Sequence, residues 1–311
     1  MPDSEEGTVP ANVRGLSPQG TDPKDFKGTV PVRIFPTGPV CPAEKRDIAL
    51  KYAKGEIVAF IDDDAYPSRD WLKNAVENFK DENVAAVGGP AVTPSEDSLR
   101  QKASGKIFGS LLVSARYAYR YVIREKREVD DYPSCNLLVR KSVMQEIGGF
   151  KTNFWPAEDT KLCLDITKKM GKKIIYDPKV LVYHHRRPVF LPHLKQVANY
   201  ALHRGYFVKR YPETSLRLAY FVPSIFLVAL VGGVILSLYS SGFRIMYLAG
   251  ILAYLLLAFG FSITKDLRLV PFVFLGILLT HLSYGFHFLK GLLAKKLFEE
   301  LGSVPAVIGR D

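Results

Sequence analysis

Apolar positions along the 311-residue chain follow two regimes. Up to about residue 215, short apolar runs alternate with charged segments of helical period. From 218 to 289 the chain is apolar almost throughout. Within the first regime, Ile57 to Ile61 is apolar on both faces and follows Gly55, so it reads as a buried strand. Pro42 to Lys54, just before it, reads as a helix with proline in its first turn and Gly55 at its end. Residues 30–35 (VPVRIF) predict a short strand. Residues 1–30, rich in Pro, Gly and charge, predict loop or disorder.

Beyond the strand, Ser68 is the expected cap of a helix with Trp71, Leu72, Ala75, Val76 and Phe79 on one face. NVAAVGGP reads as a strand broken at Gly88 and Gly89. Residues 98–128 read as one long helix carrying Arg116, Arg120, Arg124 and Arg127, with Tyr117, Tyr119 and Tyr121 among them. CNLLVRKSVMQEIGGF reads as strand, helix and a Gly-Gly stop. AEDTKLCLDITKKMG reads as a helix entered through Glu158 and Asp159 and stopped at Gly171. Residues 173–183 give one or two strands ending in HHRR, and no repeat of fixed period occurs.

Residues 191–210 form an amphipathic segment with Leu191, Leu194, Ala198 and Ala201 on one face, and Lys195, His203 and Arg204 off it. Seven Lys or Arg and one Glu fall between His184 and Arg217, which suits a helix lying in the headgroup layer. Three apolar spans follow at about 218–238, 245–263 and 269–289, each of the ~20 residues that cross a hydrocarbon core. Three crossings would put the tail opposite the first half of the chain. Lys290, Lys295 and Lys296 argue instead for the cytoplasmic side. The first span, with Pro223 and Gly232-Gly233, is the candidate for a re-entrant segment.

Composition sharpens the picture in two respects. The net charge of +11 suits an anionic partner, either a phosphate-rich ligand or an acidic lipid leaflet. The three cysteines, Cys41, Cys135 and Cys163, make no CxxC pair, which disfavours a structural zinc site or a disulfide framework. The N-terminus has no apolar leader pattern, so the first half is expected to stay in the cytoplasm with the first span as anchor.

The candidate chemistry centres on Asp62, Asp63 and Asp64, at the carboxyl end of the apolar strand, where open α/β sheets bind ligands. Three adjacent carboxylates call for positive charge, and a hard divalent cation carrying a diphosphate supplies it. Asp62 and Asp64 can both face such an ion; the alternative is a solvated acidic loop. Glu158 and Asp159 are either helix N-terminal charges or, for Asp159 in the aromatic stretch NFWPAED beside Trp155, a desolvated general base. Lys45 and Arg46 are either solvated charges or a reach toward a diphosphate. His184 and His185 read as structural or lipid-facing rather than metal ligands. His281 and His287, inside the third span, read as bonded to neighbouring helices. The Arg/Tyr stripe at 116–127 resembles a nucleic-acid surface in composition, but beside membrane spans it reads as packing or lipid contact, with no nucleic acid as partner.

Taken in order, the DDD strand, VGGP, SCNLLVRKSVMQEIGGF, AEDTKLCLDI, the basic amphipathic helix and the spans closely resemble the family 2 glycosyltransferases of GT-A fold, in their membrane-anchored bacterial and archaeal form. The resemblance covers about residues 30–215. It implies an α/β fold with a mixed sheet flanked by helices, a catalytic domain over 1–190, an interfacial helix over 191–213, a membrane region over 214–290 and a tail over 291–311. It further implies a nucleotide-sugar donor, inversion, and Mg²⁺ or Mn²⁺ held by Asp62 and Asp64. Asp159, with Glu158, matches the catalytic base motif. Asp3, Lys45, Arg46 and Asp63 would contact the donor, and Trp155, His203 and Arg204 the acceptor side. The acceptor is expected to be lipid-linked or a glycan, at the cytoplasmic face of the plasma membrane. Two departures stand out. The family's opening strand-helix-strand is lacking, so the chain reads as missing roughly 40 residues, by the size of such a unit. The QxxRW motif of processive synthases is reduced to Arg204 in ALHRG, which favours transfer of a single sugar. A non-catalytic scaffold is the alternative. A transporter built on the spans is disfavoured by their few charges.

Overall fold

The computed structural model of the protein describes residues 35–301. Asp3 and all but the last residue of the strand expected at 30–35 lie outside that range. From Pro39 onward the described residues belong to one unit. Helix α1 (Pro42–Leu50) leads into β1 (Ile57–Ile61), and a tight turn through the aspartates leads into β2 (Ala65–Pro67). Helix α2 (Trp71–Asn78), β3 (Val84–Gly88) and β4 (Ala91–Val92) follow. Then come α3 (Leu99–Gly109), the single turn α4 (Leu111–Ser114), β5 (Arg127–Val129), β6 (Asn136–Arg140) and α5 (Lys141–Ile147). Helix α6 (Glu158–Leu164) continues as a π-helical turn, Asp165–Lys169, before β7 (Lys173–Tyr176) and β8 (Val182–His184).

Two mixed sheets result. The larger has the order β1-β6-β3-β7-β5, the smaller β2-β8-β4. The central strand β3 is buried on both faces. Phe60, Leu137, Val139, Met144, Phe150, Leu162 and Ile174 share the core on one side, and Trp71, Ala75, Phe79, Leu138 and Val182 share a second core. The buried Asn136 amide ties the two sheets together. It donates to the carbonyls of Gly89 (2.6 Å) and Val180 (2.7 Å) and accepts from the Trp71 indole (2.8 Å). A Cβ at Gly89 would lie 1.8 Å from the Val180 carbonyl oxygen, so only glycine allows this approach. Gly89→Ala is therefore expected to cost roughly 3 kcal/mol, a backbone clash at the upper end of overpacking. Thermal unfolding in detergent checks this; an unchanged midpoint would refute it.

Several elements differ from the sequence expectation, each for a local reason. Strand β1 is an edge strand among the described residues rather than one buried on both faces, and Ala59 and Ile61 are exposed. The helix expected over 98–128 is broken. Ser98 opens α3 through a capping box with Gln101, but Ser110 is extended and caps a new turn, and Ala115 adopts φ +46°. The tyrosines of the stripe and Arg120 then pack inward, while Arg116, Arg124 and Arg127 stay exposed: Tyr117 stacks on Tyr220, and Arg120 lies over the Tyr117 ring. The N-cap of α2 is Asp70, not Ser68, and makes no side-chain cap bond. Leu72 and Val76 are exposed, because the stripe Trp71, Ala75, Asn78 and Phe79 faces the core.

Helix α7 (Leu191–Arg210) and the short α8 (Pro212–Ser215) follow the small sheet. The buried face of α7 runs through His193, Val197, Ala201 and Gly205, rotated from the Leu191/Leu194/Ala198/Ala201 stripe expected, and Leu191 is exposed. Among the described residues three helices are long and apolar enough to cross a membrane: α9 (Leu218–Ser237), α10 (Ser241–Ser262) and α11 (Val270–Leu293), whose apolar stretch begins at Leu267. Helix α9 runs unbroken through Pro223.

Candidate active site

The site forms where the two sheets meet. Strand β1 ends at Ile61, opposite Asn136 on β6. The Asp62–Asp64 turn, closed by Ala65 N–H to the Asp62 carbonyl (3.1 Å), passes the chain to the small sheet. There Ala65 pairs with His184 in the antiparallel β2–β8 ladder. That register brings His184 beside the aspartates. Its Nε2 lies 3.0 Å from Asp64 Oδ1, and one ligand atom each from Asp62, Asp64 and His184 lie within 4.8 Å of one another. Two carboxylate oxygens and an imidazole nitrogen suit Mn²⁺ or Mg²⁺ with coordination positions left for phosphate oxygens. Sequence reasoning favoured a structural or lipid-facing His184. The signal for a site role was its place at the end of a strand able to pair beside the DDD turn.

Arg186 stands behind this group. Its guanidinium, which can only donate, lies 3.0 Å from His184 Nδ1, so in this arrangement Nε2–H donates to Asp64. Nε2 can ligate a cation in the other neutral tautomer, with the proton on Nδ1 and the Arg186 bond released. Arg186 also bonds the Ala91 carbonyl and lies over the Tyr121 ring. Burial alone would raise the pKa of Asp64, but the hydrogen bond from His184 and the positive charge of Arg186 bring it below the usual carboxylate range. Burial raises that of Asp62, against the pull of Arg46.

Arg46 links the acidic turn to the base motif. Presented by α1 across the ring of Phe150, it donates to Glu158 Oε1 (2.5 Å) and Asp62 Oδ1 (3.3 Å). Burial works against its charge, yet Glu158 more than compensates and its pKa is raised. Lys45, its neighbour on α1, and Asp63, at the turn, are exposed.

Helix α6 begins at Glu158 after Ala157, which adopts φ +97°. Glu158 is buried in the ion pair with Arg46, while Asp159 accepts backbone N–H bonds from Ser134 (3.2 Å) and Thr160 (2.8 Å). Burial, then the neighbouring Glu158 and Asp131 charges, push Asp159 up to about 7. A carboxylate poised there can take a proton from a hydroxyl near neutral pH. Trp155 is half exposed.

Beneath Asp159 lies a charged cluster that sequence reasoning missed apart from Arg204. Asp131, 2 % exposed, pairs with Arg204 and with Arg120 (3.4 Å) and accepts from the Thr160 hydroxyl (3.2 Å). Arg204 Nη2 also reaches Thr160 Oγ1 (3.1 Å). Burial alone would raise Asp131, but Arg204 and Arg120 hold it well below the carboxylate range. Cys135, buried close to the acidic groups, is pushed up to about 12 by burial first and then by Asp62, which makes it an inert thiol. His203 points away from this cluster: its Nε2 lies 2.9 Å from Glu299 Oε1.

Residues 31–148 match the family model described as Glycosyl transferase family 2. Over this segment, less than half of the chain, the protein is similar to the family 2 glycosyltransferases. Over 172 residues it is 27% identical to a "Pre-mycofactocin glycosyltransferase" of Mycobacterium tuberculosis, covering 55% of this chain and 36% of that protein. Over 157 residues it is 26% identical to a "Glucosyl-dolichyl phosphate glucuronosyltransferase" of Haloferax volcanii, covering 46% of this chain and 49% of that protein. The chain thus spans half or less of the length of these curated relatives. The acidic turn lies inside the matched family 2 segment, whereas His184, Asp159 and Arg204 lie beyond it.

Proposed function

We propose that the protein transfers a sugar, with inversion, from a nucleotide-sugar donor to a lipid-linked acceptor at the cytoplasmic face of the plasma membrane. The observation that carries this reading is the continuous arrangement from the Asp62/Asp64/His184 group, through Arg46, to Glu158 and the proton-poised Asp159. Asp62, Asp64 and His184 would hold Mg²⁺ or Mn²⁺, which when bound would stabilise charge on the leaving diphosphate. Arg46 keeps Glu158 neutralised, so the negative charge near the acceptor hydroxyl rests on Asp159. Asp159 takes the hydroxyl proton as the oxygen attacks the anomeric carbon, and the bond to the diphosphate breaks on the opposite face. The backbone N–H groups of Ser134 and Thr160 fix the orientation of that carboxylate. Neither a covalent intermediate nor a second protein nucleophile is required.

The acceptor class is supported by the placement of α7, whose Arg204 reaches the floor of the site while its neighbours lead directly into the apolar helices. The name of the Haloferax volcanii relative, which includes a dolichyl phosphate-linked sugar, points the same way. The test is sugar transfer into the lipid fraction of membranes bearing the chain, with labelled UDP- and GDP-sugars and Mn²⁺. Mn²⁺ binding, followed by its EPR signal, is measured alongside. Transfer that is abolished by chelator and by Asp62→Asn, with Mn²⁺ binding weakened in the same variant, is the expected outcome. Equal turnover of a soluble sugar acceptor without lipid would refute the acceptor class. Absence of transfer with every donor would favour a scaffold.

A further inference from the structure

The third apolar helix has the length and composition of a membrane span, yet its contacts run along its whole length. Gly276 packs on Ile107 of α3 and on Val189. Thr280 Oγ1 lies 2.9 Å from His193 Nε2, and His281 Nε2 lies 3.1 Å from the Leu112 carbonyl. A Cβ at Gly205 would meet the Phe288 carbonyl at 2.0 Å, and one at Gly291 would meet that of Leu202 at 2.0 Å, so the two backbones touch. The Ala294 carbonyl accepts from Lys209 (2.6 Å). Val189 with Gly276, His193 with Thr280, Gly205 with Phe288 and Lys209 with Ala294 keep a nearly constant offset. Helices α7 and α11 are therefore parallel neighbours from end to end.

Helix α7 cannot lie in hydrocarbon. It carries Lys195, Arg204, Lys209 and Arg210, and one of these reaches Asp131 under the candidate active site. A helix in parallel contact with it throughout lies at the same level. The chain beyond α11 agrees. Leu297 joins Phe154, Tyr206 and Phe207 in one cluster, and Glu299 accepts from His203.

Helices α9 and α10 behave differently. Both ends of this pair stand on the catalytic unit: Arg217 pairs with Asp130 (2.7 Å), and Leu269 joins Ala103 and Ile107. Only their basal turns meet α11, Phe221 on Phe288, Ser224 to the Gly285 carbonyl (3.0 Å), Tyr254 to His281 (2.8 Å) and Phe259 on Phe274. Beyond that the two pair with each other, Tyr247 donating to the Leu230 carbonyl (2.7 Å), and their tip at Leu238 and Tyr239 is 77% and 84% exposed.

We infer that only α9 and α10 cross the bilayer, as a hairpin, and that α11 lies in the membrane plane beside α7, with the tail on the catalytic side. Helix α11 presents Leu275, Leu279, Phe286 and Leu293 on the face away from the protein, with Lys290 among them, and this face rests in the acyl–headgroup boundary of an acidic lipid surface. Charge follows the same division. Lys195, Lys209, Arg210, Lys290, Lys295 and Lys296 fall on the catalytic side, and among the described lysines and arginines Arg244 alone lies near the hairpin tip. This arrangement removes the conflict between an odd number of crossings and a basic tail. It stands whether or not the site transfers sugar.

Single cysteines at three exposed positions test it, in a Cys41→Ser background with a membrane-impermeant maleimide on sealed vesicles of known orientation. Lys296→Cys should label from the same side as Lys80→Cys on the catalytic unit, and Ser241→Cys from the opposite side. Labelling of Lys296→Cys from the Ser241→Cys side would overturn the inference, as would labelling of Ser241→Cys from the catalytic side. A second measurement reads α11 directly: tryptophan at Leu275 or Phe286, measured over the native Trp71 and Trp155, with depth-dependent lipid quenchers. Equal shallow depths are expected. A crossing helix would separate the two by up to about 16 Å, the rise over eleven residues, and such a separation would overturn the inference.

Discussion

Asp159→Asn is expected to lower sugar transfer by about 10²–10⁴-fold, the usual worth of a positioned general base, with little change in donor or Mn²⁺ binding. The two backbone N–H groups bond different oxygens of the carboxylate, so the Asn amide keeps the shape but accepts from only one of them. The wild-type rate should rise with pH through about 7, where Asp159 gives up its proton, and this inflection should vanish in the variant. The same shift carries a stability consequence. A carboxyl whose folded-state pKa is raised binds its proton more tightly in the fold than in the unfolded chain. Its favourable contribution is complete below the unfolded carboxylate pKa of about 4 and is lost as pH rises to about 7. Relative to wild type, Asp159→Asn should therefore gain stability as pH rises from 5 to 8, on top of a pH-independent loss from the N–H left unpaired. A variant that keeps full transfer, or whose stability relative to wild type does not rise over that range, would remove Asp159 from the role of base. A group that costs stability where it is useful is the expected signature of a catalytic residue.

Much of this site was legible in the sequence because its parts sit at element boundaries. A strand ending in DDD, a Gly-Gly stop after α5 and an acidic pair opening α6 are local signals, and each element formed close to where its pattern placed it. Arg46 was legible as a basic residue on the preceding helix, and it bridges the two acidic clusters. What was not legible depended on neighbours. Periodicity cannot say that β1 is an edge strand among the described residues, nor which of two adjacent stripes of α7 meets another helix. The glycines at 205 and 291 decided the second point, by admitting backbone contact with α11. His184 entered the site through the β2–β8 register, a pairing that no local pattern encodes. The break in the 98–128 segment was carried by Ser110, a capping residue inside an otherwise helical pattern. Asp131 lay hidden in the loop EVDDYPSC, since its importance comes from two arginines distant in the chain.

Those two arginines set the other large expectation. Asp131→Ala should destabilise the protein by about 3–5 kcal/mol, because it leaves Arg120 and Arg204 buried together without their counter-charge. The cost is asymmetric. Each guanidinium already has one buried nitrogen without a partner, Arg120 Nε and Arg204 Nη1, so neither has spare bonds to fall back on. Asp131 is held below its unfolded pKa, so its contribution is present above about pH 4 and is lost as pH falls further. Wild type and Asp131→Ala should therefore converge in stability toward acid and diverge at neutral pH, by thermal unfolding in detergent. Equal midpoints at pH 7 would show that the cluster is neutral to the fold. Arg204→Lys separates stability from positioning. It keeps one positive charge near Asp131 but loses the guanidinium Nη2 that donates to both Asp131 and the Thr160 hydroxyl beside the base. Its stability loss should be smaller than that of Asp131→Ala while its transfer rate still falls, with a larger effect on kcat than on KM. That split would mean that α7 orients the base as well as supporting the fold, and so ties the chemistry to the helix on which α11 is seated.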